Sequence, residues 1–203
     1  MAETATRRRL LPRAQRREQI LDAATRAFAR EGYSATNLDD IAGEAGVGRV
    51  ILYRHFESKA ELYRAVLRRA KDRLTAVTGS PEFTDRSLEN LVAAAAADPP
   101  AFRLLFRHAS REPEFRQETE EMRASSFALT HRYMAELVPD PAWARWASSL
   151  VPTVAIEAVI AWLDAGQPDQ ASAARRIGEA VAAVVEAARS QGGGDVPPPA
   201  LCP

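Results

Sequence analysis

Apolar positions recur at helical spacing from about Arg13 to Glu31, with Ile20, Ala24, Ala27 and Phe28 on one face. Gly32 follows, placed to end that helix as a left-handed cap. Thr36-Asn37-Leu38-Asp39 reads as a capping box with Asp in place of the usual Glu. It opens a second helix with apolar positions Leu38, Ile41, Ala42 and Ala45, and Gly46 stops it. A third helix then runs from Arg49 to about Phe56 and buries Leu52 and Phe56. Ser58-Lys59-Ala60-Glu61 is a second capping box, which starts a long fourth helix through Leu62, Val66, Ala70, Leu74 and Val77.

Gly79-Ser80-Pro81 marks a boundary. Helical patterning resumes over about 85–97, 100–109, 113–138, 141–165 and 168–190. Pro99, Pro100, Pro113, Pro139, Pro141 and Pro168 stand near starts or stops, where proline costs least. Pro152 falls inside a helical run, so a kink or break is expected there. No alternating β-branched run, hairpin signal or internal repeat occurs. The pattern predicts an all-α chain: a basic arm at 1–12, a small domain at 13–74, a larger helical domain at 80–191 and a Gly/Pro-rich, disordered tail at 192–203.

The chain has 203 residues, 46% hydrophobic and 27% charged, which suits a globular protein. No uninterrupted apolar run reaches the roughly 18–20 residues of a membrane span. The N-terminus lacks the apolar core of a signal peptide. One cysteine, Cys202, excludes a disulfide framework and a cysteine metal site, so a reducing cytoplasm is the expected setting. Formal net charge is zero, but its distribution is uneven. Residues 1–73 hold 16 Lys and Arg against 10 Asp and Glu, which leaves 11 and 17 for the remainder. A basic N-terminal third on an acidic body points to a polyanion-binding module.

Residues 36–56 have the spacing of a helix-turn-helix. With Leu38, Ile41, Ala42, Val47, Leu52 and Phe56 as the seam, Gly48, Arg49, Val50 and Ile51 project outward. The major groove admits a helix and shows each base pair as a distinct pattern. Arg49 can fork onto guanine, and Val50 or Ile51 can meet a thymine methyl. Tyr53, Arg54, His55 and Lys59 lie where the helix returns toward phosphates. Lys59 falls in the first turn of the fourth helix, and Thr36, as cap of the second, is a further phosphate candidate. Arg7, Arg8 and Arg9 read as a solvated arm, with the minor groove as the alternative.

The stretch "GYSATNLDDIAGEAGVGRVILYRHFESKAELYRAVL" resembles the DNA-binding domain of the TetR family of bacterial transcriptional repressors. Gly32-Tyr33, Thr36, Ile41-Ala42, Ala45-Gly46-Val47, Leu52-Tyr53, His55-Phe56 and Lys59 carry the resemblance, over about residues 13–74. It implies a homodimer, an operator with two-fold symmetry, and release when a small ligand binds the C-terminal domain. Gly48 stands where the family often has Ser, and Val50 where a small residue is common, so operator preference is not carried over.

In the C-terminal domain, Phe102, Phe106, Met122, Phe127 and Trp162 suit either core or a ligand cavity, and His131 and Glu157, with Arg107 and His108, are its polar candidates. Ala158, Ala161, Ile177, Val181, Val184 and Val185 suit a four-helix interface across a two-fold axis. No metal or cofactor is expected, because neither His108 nor His131 has a second ligand at helical spacing. A metal-dependent helical enzyme is the rival reading, from Asp39-Asp40, but Gly43 occupies the place of the further acid. An architectural DNA-coating protein is the other, and the acidic body argues against it. The expected partners are an operator duplex, an unidentified small effector and a second copy of the chain, with no membrane.

Overall fold

The computed structural model describes residues 12–78 and 86–190. The arm with Arg7, Arg8 and Arg9, the Gly79-Ser80-Pro81 boundary and the tail at 192–203 lie outside the described residues. Among those described there are nine α-helices and no strand: α1 (Arg13–Ala35), α2 (Leu38–Glu44), α3 (Arg49–His55), α4 (Lys59–Thr78), α5 (Ser87–Ala97), α6 (Pro99–Arg103), α7 (Arg116–Leu137), α8 (Pro141–Asp164) and α9 (Gln170–Arg189). A π-helical turn (Leu104–His108) and two 3₁₀ turns (Ala109–Arg111, Pro113–Phe115) join α6 to α7. The two helices expected over 100–109 and 113–138 are therefore broken by tighter and wider turns.

Local chemistry accounts for most boundaries. Gly32 takes φ 80° and ψ 173°, a region essentially restricted to glycine, and the helix path breaks there. This is a positive-φ stop, though not the left-handed cap expected. The cap of α2 is Asn37 rather than Thr36: its Oδ1 accepts from the Asp40 N–H at 2.8 Å. Gly46, at φ 61°, closes α2, while Val47 N–H donates to the Ala42 carbonyl at 2.9 Å. Ser58 Oγ accepts from Glu61 N–H at 3.1 Å, and Glu61 reaches back to Glu57 N–H at 2.6 Å, so the second capping box forms. Asp98 and Asp140 cap α6 and α8 just before their prolines.

The expected break at Pro152 does not occur, and α8 runs through it from Pro141 to Asp164. This helix is long and apolar enough to cross a membrane by length and composition alone. Its apolar side is packed instead, with Ala144, Ala147, Val151, Ala155, Val159, Ile160 and Leu163 buried.

Two compact units emerge. The first combines described residues 12–77 with 97–119, so the segment after α5 groups with the N-terminal helices rather than with the expected domain at 80–191. Its core is built from Ile20, Ala24, Phe28, Ile41, Leu52, Phe56, Leu62, Tyr63, Val66, Phe102, Leu104 and Phe115. An aromatic cluster joins three of its elements. Tyr63 lies 4.8 Å from Phe28 and 4.4 Å from Phe115, and Tyr33 lies 5.0 Å from Tyr63. The second unit holds described residues 78, 86–96 and 120–190. There α9 packs along α8, and Met134, Val138, Ala144, Ala147, Val151 and Ala188 form one cluster.

Gly32→Ala should destabilise the first unit through backbone strain rather than overlap. A Cβ there would meet its nearest neighbours, His108 Nδ1 and Glu112 Oε1, at 3.6 and 3.8 Å, which is ordinary contact. The expected loss is about 1–3 kcal/mol, read from urea unfolding with an unchanged slope.

Candidate nucleic-acid interface

The helix-turn-helix is held from behind. Ile41 and Leu52 have no exposed surface, and Phe56 is 1% exposed. Gln19 Nε2, on α1, donates to the Ala45 carbonyl at 2.8 Å and pins the turn between α2 and α3. Arg26 and Arg30 both reach Glu44 at the end of α2, at 2.7 and 3.3 Å. Since α3 is fixed by Leu52 and Phe56, its opposite side faces outward. Gly48, Arg49, Val50, Tyr53 and Arg54 are exposed, and Ile51 is half-buried. Val50 is 67% exposed. Folding gives no reason for that, since burying a valine stabilises a chain by about 1.5–3 kcal/mol.

Arg49 is not free in the unbound chain. Its Nη1 lies 3.1 Å from Asp39 Oδ2, and its guanidinium sits 5.6 Å from the centre of the Tyr53 ring. Tyr53 first and Asp39 second push its pKa above the ordinary arginine value, so it is a permanent cation.

Two residues expected at phosphates make hydrogen bonds within the chain. Thr36 is 1% exposed, and its hydroxyl donates inward to the Gly32 carbonyl at 2.7 Å, so its side chain is not presented outward. Lys59 is half-buried, and its ammonium donates to the Thr36 and Ser34 carbonyls at 2.7 and 3.3 Å, over the Tyr33 ring at 4.5 Å. It ties the start of α4 to the α1–α2 turn. His55 is half-buried at the end of α3. Burial first, then Arg13, Arg17 and Arg16, hold its pKa below the usual histidine range.

Those three arginines were not among the residues expected at the interface. The start of α1 brings them beside His55, with the Arg17 guanidinium 4.4 Å from the Phe56 ring centre. Their spacing at i, i+3 and i+4 puts them on one face of a helix, a signal legible in the sequence. Together with Arg54, which makes no ion pair among the described residues, they extend the cationic surface around α3.

The remaining expected site residues are divided. Phe102 is buried and Phe106 half-buried in the first unit, with ring centres 4.7 Å apart. Met122, Phe127 and His131 are half-buried in the second, where His131 stacks on Phe127 at 5.4 Å and its Nδ1 lies 3.0 Å from Ser148 Oγ. Glu157, expected to face a cavity, is exposed instead and is not among the residues lining the groove on α7 and α8. Trp162 is buried and its indole N–H donates to the Pro168 carbonyl at 2.9 Å, which gives it a structural role. An open groove of about 490 Å³ on α7 and α8 is lined by Arg123, Arg145, Trp146 and Thr153, and by none of the expected ligand residues. Ile177, expected at a dimer interface, is 6% exposed and belongs to the core of its own chain. Ala158, Val181, Val184 and Val185 are half-buried and Ala161 is exposed.

A short helix with an outward cationic and apolar first turn, locked by a buried seam, defines a helix-turn-helix DNA-binding domain. Residues 20–66 match the model of the family described as bacterial regulatory proteins, tetR family. The transcriptional activator FasR of Mycolicibacterium smegmatis is 42% identical over 106 residues, covering 48% of each chain. The transcriptional repressor Rv1474c of Mycobacterium tuberculosis is 31% identical over 118 residues, 58% of this chain and 63% of that protein. The chain thus matches about half to three fifths of the length of these two relatives. A TetR-like regulator from Rhodococcus sp. RHA1 shares the fold at a TM-score of 0.73 and 24% identity, covering 88% of this chain and 99% of that one. The relatives compared are named as regulators, none as an enzyme.

Two measurements follow from this geometry. Arg54→Ala should lower the slope of log affinity against log salt by about one per subunit if it meets a phosphate, with stability unchanged. Lys59→Ala should lower the thermal midpoint, because two carbonyls lose their donor.

Acidification should also destabilise the first unit. His108, like His55, is held below the ordinary value, by burial first and then by Arg111. Below about pH 6.5 the unfolded chain therefore takes up protons before the folded one. Stability falls as pH drops through that window and levels off once the folded values are passed. The double variant His55→Gln, His108→Gln should lose less stability between pH 7.5 and 5.5 than the parent.

Proposed function

We propose that the chain is a homodimeric transcriptional repressor that binds a two-fold symmetric operator and is released by a small-molecule ligand. The exposure of Val50 beside Arg49, on a helix locked from behind, carries the reading: an apolar residue next to a forked cation suits a thymine methyl beside a guanine. The cytoplasm is the proposed place of action. Activation is the second reading, favoured by the 42% identity to a protein named as an activator. Operator selection from random duplexes, followed by a reporter placed downstream of the selected site, separates the two. Repression predicts higher output when the gene is deleted, and activation predicts lower.

Dimerisation is proposed through α8 and α9. Val181, Val184 and Val185 pack only partly on their own chain, and Ala161 and Ala183 are exposed. Glutamate at 161 and 183 should be harmless in a monomer but costly if a partner covers it. The variant Ala161→Glu, Ala183→Glu should sediment as a monomer with unchanged helicity. An intact dimer would refute this interface.

The sensor is proposed to lie in the second unit, around Met122, Phe127 and His131, where apolar surface meets a polar pair and suits an amphipathic ligand. Ligand binding would alter the separation of two reading helices, which must match half-sites about 34 Å apart per helical turn.

A further inference from the structure

We propose that Asp39 is a positioning residue for base readout, holding the Arg49 guanidinium in the orientation that meets a base edge and disfavouring its capture by phosphate. The inference rests on the DNA-binding reading above. It starts from an electrostatic anomaly. A surface that meets a polyanion carries two adjacent carboxylates, Asp39 and Asp40, both exposed in the first turn of α2. The helix dipole favours acids there, and that would account for either one equally.

Only one of the two touches the reading helix. Asp39 Oδ2 lies 3.1 Å from Arg49 Nη1, across the turn from α2 to the first residue of α3, while the Asp40 carboxylate makes no ion pair among the described residues. The pair is a poor stabiliser of the fold, because side chains 60% and 61% exposed remain in water. Its effect is on direction. A guanidinium has five N–H donors in a rigid fork. With Nη1 engaged by Asp39, the Nε–Nη2 edge keeps two parallel donors, which is what guanine O6 and N7 accept. Tyr53, 5.6 Å below the guanidinium, limits the plane from another side.

A long arginine without such a partner samples many rotamers and meets phosphate in any of them. Fixing it beforehand reduces the ordering cost on binding. The negative charge also repels the backbone, so contact is favourable only where a base edge replaces lost water. Asp39 thereby trades general affinity for discrimination.

The experiment compares Asp39→Asn with Asp40→Asn in the full chain. Each removes one charge from the same helical turn. Operator selection on the parent comes first, followed by affinities for the selected duplex, for its guanine-substituted derivatives and for a scrambled duplex at matched salt. Both variants should bind the scrambled duplex more tightly, by similar factors. Only Asp39→Asn should lose discrimination, by roughly three- to tenfold at one base pair per half-site, a fraction of what a bidentate contact supplies. With Arg49→Lys in the background, replacing Asp39 should no longer change discrimination at that pair. A preferred operator whose discrimination falls equally in both variants, or in neither, overturns the role of Asp39 and leaves the DNA reading standing. A parent that selects no sequence overturns both.

Discussion

Neither helix of the reading motif can hold itself in place. α2 and α3 have seven residues each, and isolated helices shorter than about 12–15 residues are marginal in water. Their direction therefore depends on burial of Ile41, Ala42, Ala45, Leu52 and Phe56, with α2 packed on α1 and α3 on α2. The polar contacts on this seam act on register. Gln19 fixes the turn, Glu44 is held by two arginines, and Lys59 closes the α1–α2 corner through two carbonyls. A base-reading side chain is only as well placed as the backbone beneath it. Here that backbone is placed by apolar surface, with hydrogen bonds preventing slippage.

The support extends beyond the motif. Arg69, 13% exposed, joins α4 to Glu18 and Asp22 of α1, and Arg73 joins α4 to Asp98 at the start of α6. Phe115 brings the 3₁₀ turn before α7 onto Tyr63 and Tyr33. The rigid body behind the reading helix thus includes residues distant in sequence. A change within 97–119 acts on the packing that places α3, with no need for a contact to DNA. The π-helical turn at Leu104–His108 lies in this segment, and such turns are rare single-turn interruptions of helices, frequent at functional sites.

What was legible in the sequence was local. Gly46, the Ser58–Glu61 box and the prolines before α6 and α8 announce their roles within four residues, and the spacing of Leu38 to Phe56 is dense enough to specify the motif. Misreadings arose where two local answers were equally good. Thr36 and Asn37 are both cap formers, and only burial of Thr36 shows that Asn37 caps. A lysine in a first helical turn reads as an anion contact, and no local window shows that Ser34 and Thr36 also present carbonyls to Lys59 from across the corner. Glu157 and Ile177 sit on helices whose composition is nearly uniform in small apolar residues, so facing could not be read. The grouping of 97–119 with the first unit depends on packing against α1 and α4, which no local window contains.

Charge pairing inside the first unit bears on how many of its cations can meet phosphate. Part of the positive charge in the described residues up to 73 is engaged within the chain. Arg26 and Arg30 meet Glu44, Arg49 meets Asp39, Arg69 meets Glu18 and Asp22, and Lys59 is spent on carbonyls. Arg13, Arg16, Arg17, Arg54, Arg68 and Lys71 make no ion pair among the described residues. The salt dependence of general affinity grows with the number of phosphates neutralised, so each of these cations that meets the backbone steepens it. Two coupled copies change the arithmetic, because the second binding event occurs at high effective concentration once the first has formed. In the proposed dimer, discrimination would then accumulate over two half-sites. An Arg49 held by Asp39 fits that proposal, in which the geometry of the reading helix adds to charge in determining where the protein binds.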